Sequence, residues 1–128
     1  MRPAAVPPFR TLDPALAAAE RLLATGLSTV VYALPDELLA AARLNTVLAG
    51  TSPRLTLTRQ GWQVIHVAAG GRADELAVAA GGLATLVAVA GWSRLKRCET
   101  CAEPFLDRTN GRTRRWCTRH RPNHRPPA

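Results

Sequence analysis

Apolar residues in this chain recur in blocks whose spacing changes from helical to alternating and back. Leu16, Ala19, Leu22 and Leu23 fall on one face at helical spacing. Asp13-Pro14 just before them predicts where that helix starts. An aspartate there accepts from free backbone N–H groups, and a proline at the first helical position gives up a donor that had no partner. Gly26 predicts the stop. The β-branched run from Leu27 to Ala33 fits either a strand or a loop packed on the core. Pro35-Asp36-Glu37 opens a second helix, with its acidic residues at the positive end of the helix dipole. Leu38, Leu39, Ala42, Leu44, Val47 and Leu48 supply its apolar positions, and Asn45 within it is expected to bond a neighbouring loop.

The period then shortens to two. Arg54 to Thr58 and Trp62 to Val67 read as strands of a β-hairpin turning through Arg59-Gln60-Gly61, with Leu55 and Leu57 on one face and the threonines on the other. His66 has no carboxylate or nucleophile at useful spacing and reads as a strand histidine. From Leu76 to Trp92 there is no charged residue. Such a run borders on membrane-spanning length, but its alanines and Gly81-Gly82 favour a helix buried centrally in a small domain. Each of those glycines costs roughly 1 kcal/mol in a helix, so they predict close packing or a break.

Composition adds a class and a polarity. With 128 residues, 47% of them hydrophobic, the chain has material for one globular unit or a domain with a small appendage. Residues 1–93 carry seven arginines and six acidic residues, whereas residues 94–128 carry ten Lys+Arg against three acidic residues, so +7 of the total +8 lies in the last third. That asymmetry points to a polyanionic partner. Residues 1–11 are proline-rich, lack the apolar core of a secretory signal, and read as a flexible tail. A cytoplasmic, nucleoid-associated location is expected, with no membrane partner.

The chemistry is concentrated in the same third. All three cysteines occur there, in the order C-x2-C-x15-C-x2-H: Cys98, Cys101, Cys117 and His120. Tetrahedral zinc takes thiolates and imidazoles in such closely spaced pairs, and the long interval lets the chain go out, turn and return. An odd cysteine count without an export signal disfavours disulfides, and no thioredoxin-like βαβ pattern surrounds the Cys-x-x-Cys. His124 is a rival fourth ligand. Glu103 to Asp107 and Thr113 to Trp116 are expected to form a hairpin turning at Thr109-Asn110-Gly111, with a short helix beginning near Cys117. Phe105 and Trp116 would be its miniature core. So small a lobe needs its metal, since binding in zinc-finger peptides contributes about 10–16 kcal/mol at neutral pH.

Trp92-Ser93-Arg94-Leu95-Lys96-Arg97-Cys98, the Phe105-Leu106-Asp107 triplet and Arg114-Arg115-Trp116-Cys117 together resemble the CGNR zinc-finger family. Those bacterial proteins place a mostly helical ABATE domain before a C-terminal finger and are regarded as stress-induced transcription regulators. The Cys-Gly-Asn-Arg that carries the family's last ligand is replaced here by His120-Arg121-Pro122-Asn123-His124-Arg125. A cysteine-to-histidine exchange preserves zinc chemistry.

The resulting expectation is an α+β chain. Residues 12–92 form an ABATE-like, mostly helical domain with a hairpin near 54–67, residues 93–125 a treble-clef-like finger, and residues 126–128 a tail. One structural zinc is held by Cys98, Cys101, Cys117 and His120. DNA is the expected partner, met by Arg94, Lys96, Arg97, Arg108, Arg112, Arg114, Arg115, Arg119, Arg121 and Arg125, while a small-molecule or protein signal acts on the N-terminal domain. A zinc-stabilised module for protein or RNA interaction is the alternative. No phosphate loop, activated nucleophile or carboxylate pair suggests an enzyme, and the sequence leaves the oligomeric state open.

Overall fold

The structure, a computed structural model, describes residues 14–59, 61–72, 74–109 and 111–120. The opening tail, the Asp13 cap, Arg121, His124 and Arg125 lie outside them. Helices α1 (Pro14–Leu22), α2 (Ser28–Val31) and α3 (Glu37–Leu48) are followed by strands β1 (Thr51–Thr58) and β2 (Gly61–Ala68). A short 3-10 turn leads into α4 (Glu75–Ala90), and two three-residue strands, β3 (Leu95–Arg97) and β4 (Pro104–Leu106), complete the order.

Helix α4 is the central element. It is apolar on most sides because most sides are covered, with Ala77, Ala79, Ala80, Leu83 and Leu86 all buried. Asp74 caps it by accepting from the Ala77 N–H at 3.3 Å. Helix α1 lies antiparallel against it: Ala15 meets Gly82 at one end, and Arg21 bonds Glu75 at 3.0 Å at the other. The paired glycines do not break the helix. A Cβ on Gly82 would fall 2.4 Å from the Ala15 carbonyl oxygen, and one on Gly81 would fall 2.3 Å from the His66 ring. One glycine therefore admits α1 and the other admits β2. No helix among the described residues is long and apolar enough to cross a membrane.

Several elements differ from their sequence expectation. Helix α1 ends at Leu22, before Gly26, and the chain turns through residues 23–27, where the Leu27 N–H returns to the Leu22 carbonyl at 2.9 Å. The undecided β-branched run is mainly α2, whose Val30 and Val31 are buried in the core. Helix α3 begins as expected, with Asp36 accepting from the Leu39 N–H at 3.1 Å. Its buried positions, however, are Ala40 and Leu44, while Leu38 and Leu39 face outward.

Strands β1 and β2 form the expected antiparallel hairpin, with Leu55 opposite Val64 and Leu57 opposite Trp62. A larger revision concerns the cysteine-bearing third. Strand β4 pairs with β3, Leu95 opposite Leu106 and Arg97 opposite Pro104, rather than with residues 113–116. The Cys-x-x-Cys turn is thus the tip of a hairpin. Leu95 and Leu106 then join Leu16, Leu83 and Leu86 in the main hydrophobic core, so the metal lobe is packed onto the helices. Each such buried leucine stabilises by about 1.5–3 kcal/mol relative to exposure.

Candidate metal centre

The β3–β4 hairpin positions the first two ligands. The Cys98 N–H donates to the Glu103 carbonyl at 2.8 Å, and the Ala102 N–H donates back to the Cys98 carbonyl at 2.8 Å. This tight turn requires a positive φ of 63° at Ala102. The Thr100 N–H points at the Cys98 sulfur, 3.4 Å away. The returning chain supplies the other pair. Glu99 donates its N–H to the Arg115 carbonyl at 3.0 Å, which lays residues 115–117 beside the knuckle, and the His120 N–H closes on the Cys117 carbonyl at 3.2 Å.

The four ligand atoms lie within 4.8 Å of one another. Tetrahedral zinc with Zn–S bonds of about 2.3 Å has ligand–ligand edges of about 3.8 Å, slightly shorter to nitrogen. The observed edges are Cys101 Sγ to Cys117 Sγ at 3.7 Å, Cys98 Sγ to His120 Nδ1 at 3.9 Å and Cys117 Sγ to His120 Nδ1 at 3.3 Å. The cluster fits one tetrahedral ion and is too open for a disulfide, whose sulfurs lie about 2.05 Å apart.

Electrostatics prepare the site for a cation. Burial pushes the Cys98 thiol up, but backbone N–H groups of Cys117, Cys101 and Thr100 outweigh it and leave Cys98 at about 6. For Cys117, burial is likewise outweighed, here by the His120 side chain and N–H, and its pKa is lowered. Cys101 receives a lowering hydrogen bond at Glu103, yet burial and the sulfurs of Cys117 and Cys98 together raise it. His120 is raised, chiefly by its contact with Cys117. Bringing three sulfurs this close favours a metal that neutralises all of them.

Residues 94–125 match the family model of the CGNR zinc finger. The match covers the metal lobe and leaves residues 1–93 outside it. A comparison with curated proteins finds no match to the chain. The chain therefore carries a CGNR-type zinc finger in which Cys98, Cys101, Cys117 and His120 are positioned to bind one metal ion, as one structural zinc requires. In the described part of this finger, residues 118–120 form a turn.

Beside the CGNR cysteines sits a second constellation that the sequence reading did not single out. Asp107 is 0% exposed and holds the long connection in place. Its carboxylate accepts from Lys96 Nζ at 2.7 Å, from the Thr109 N–H at 2.8 Å, from the Thr109 hydroxyl and from the Arg114 N–H at 3.0 Å. Burial raises its pKa, but these donors outweigh it and bring it to about 2. Lys96 also donates to the carbonyls of Arg112 and Arg114. The available signal was an aspartate two residues before a threonine, a pattern that bonds its own backbone.

The basic residues divide by what they touch. Arg94 is 3% exposed and donates to the carbonyls of Asp107 and Thr109. Arg108 pairs with Glu20 of α1. Arg114 donates to the Trp116 carbonyl at 2.7 Å and lies over the Phe105 ring. Arg115 pairs with Glu99 at 2.7 Å and lies over Trp116. Arg97, over Tyr32, and Arg112 and Arg119 are exposed. Phe105 is buried with Cys98 and Cys117, and Trp116 packs against them.

Proposed function

We propose that this chain is a DNA-binding zinc-finger protein acting as a transcription regulator, its helical part an ABATE-type domain that receives a small-molecule or protein signal. The observation that carries this reading is the set of solvent-facing guanidinium groups on the metal lobe. Arg97, Arg112 and Arg119 are exposed around a zinc-pinned frame, and Arg115, exposed together with its partner Glu99, can exchange that carboxylate for a phosphate, within a segment that holds nearly all of the chain's net charge. An arginine so placed can grip phosphate or a guanine edge with two hydrogen bonds. Zinc has a structural role in this reading, because four protein ligands close the tetrahedron to water. Arg94, Lys96 and Arg108, spent on internal partners, hold the frame, and the outward arginines make the contacts.

Binding of the zinc-loaded chain to duplex DNA across a salt series tests the reading. Engagement of about four phosphates gives a slope of roughly −3 to −4 in log K against log salt. Arg112→Ala and Arg119→Ala should each flatten that slope by about one. A slope near zero, or binding no tighter than that of an acidic peptide, would favour the protein-interaction module instead.

A further inference from the structure

We propose that a second copy of this chain docks on the outer half of the β1–β2 hairpin, giving a two-fold homodimer. The pairing register places Leu55 opposite Val64 and Leu57 opposite Trp62, so the four side chains share one face of the ribbon. They are 72%, 57%, 65% and 70% exposed, respectively. The next pair on that face is Pro53 and His66, and His66 is tucked against Gly81 of α4. The face therefore starts beneath α4 and runs outward uncovered by any described residue. A hairpin with one wet side ordinarily turns its polar residues there. Here Thr56, Thr58 and Gln63 occupy the other, half-buried face.

Together the four side chains expose on the order of 500 Å² of apolar surface, the upper range for a stable monomer. Two copies stacked face to face, about 10 Å apart as sheets pack, would remove about 1,000 Å² from water. That reaches the size of a specific interface before any periphery is counted. The face also suits a copy of itself. The four side chains carry no charge, strand alternation sends Arg54 to the opposite side, and the nearest charge, Arg59, lies in the turn at the edge of the face, so two-fold docking brings no like charges into its centre. Trp62 is the anchor, being an aromatic side chain at the patch with apolar neighbours on its own and the partner strand.

Sedimentation equilibrium of the full-length, zinc-loaded chain tests this directly. The expected mass is twice 13.7 kDa. Leu57→Glu and Trp62→Ser should each weaken association at least about 100-fold, or roughly 2.7 kcal/mol, with far-ultraviolet circular dichroism and one zinc per chain unchanged. Those two controls separate loss of the interface from loss of the fold. A single-chain mass at about 100 μM, or undiminished dimerisation by Leu57→Glu, overturns the proposal. So does a monomeric full chain that associates only after removal of residues 1–13, because the covering segment would then be the chain's own Val6, Phe9 and Leu12.

Discussion

Lys96 Nζ lies 2.7 Å from a carboxylate oxygen of Asp107, and that carboxylate is wholly buried. The lysine also bonds the carbonyls of Arg112 and Arg114, so one ammonium ties β3 to the residue that follows β4 and to the returning chain. Replacing Lys96 by Met leaves the aspartate charged and without its main counter-charge. The expected cost is on the order of 3 kcal/mol in urea unfolding. Lys96→Met combined with Asp107→Asn should cost less than the sum of the two single changes, which a double-mutant cycle reads directly.

Zinc removal should loosen the returning chain and spare the helices. The four α-helices among the described residues lie before residue 91, and Leu95 and Leu106 keep their places in the main core. Chelation, or Cys117→Ala, is expected to abolish metal binding and expose the Trp116 ring while far-ultraviolet circular dichroism stays nearly unchanged. Metal analysis together with tryptophan fluorescence checks both halves. Collapse of the helical signal on chelation would show that the core depends on the ion.

Zinc affinity should depend on pH with a break. The thiolate is the ligand. Cys98, held at about 6, is already mostly ionised at pH 7, whereas Cys101, raised above the ordinary thiol range, must lose a proton as zinc enters. As pH falls, His120, raised above the ordinary imidazole range, competes first, and below about 6 protons begin to compete at Cys98 as well. A plot of log Kd against pH should therefore steepen by at least one proton per zinc below that value. Competition titrations between pH 5 and 8 measure the slope.

Gly82→Ala is expected to destabilise by about 2 kcal/mol through overpacking, because its Cβ would meet the Ala15 backbone, which cannot swing aside. Gly81→Ala meets the His66 side chain instead. Adding His66→Ala should recover part of that loss. The same second change should recover nothing for Gly82→Ala, so thermal melts of the two double variants discriminate the contacts.

Ala102 adopts φ 63° at the end of the cysteine turn. A side chain in that conformation is strained by roughly 1–2 kcal/mol, offset in part by the greater unfolded-state freedom of glycine. Ala102→Gly should raise stability of the zinc-loaded chain by about 0.5–1 kcal/mol, read as a shift in the urea midpoint.

Local chemistry was the part legible in the sequence. Cys98, Cys101, Cys117 and His120 announce themselves because ligand type and spacing are local properties. Asp36-Glu37 does the same as a helix start, and Gly81-Gly82 as a place of close packing or a break. What stayed hidden depends on partners far along the chain. Strands of three residues have too little alternation to reveal that Phe105 pairs with Lys96 rather than with the Thr113–Trp116 segment. Alternation correctly put Leu55 and Leu57 on one face, but only the position of α4 decides that this face is bare. Asp107 stood out only as part of the Phe105-Leu106-Asp107 triplet, and its role stayed hidden until folding gathered four donors around it.

The placement of Leu106, 1% exposed among leucines of the helical bundle, bears on how the metal lobe can be studied. An excised peptide beginning at Arg94 would keep every ligand yet strip the cover from Leu95 and Leu106. It would chelate zinc while presenting a sticky apolar underside absent from the intact molecule. Clumping or indiscriminate adhesion by such a fragment would reflect the cut, and the whole chain is the proper specimen for recognition experiments.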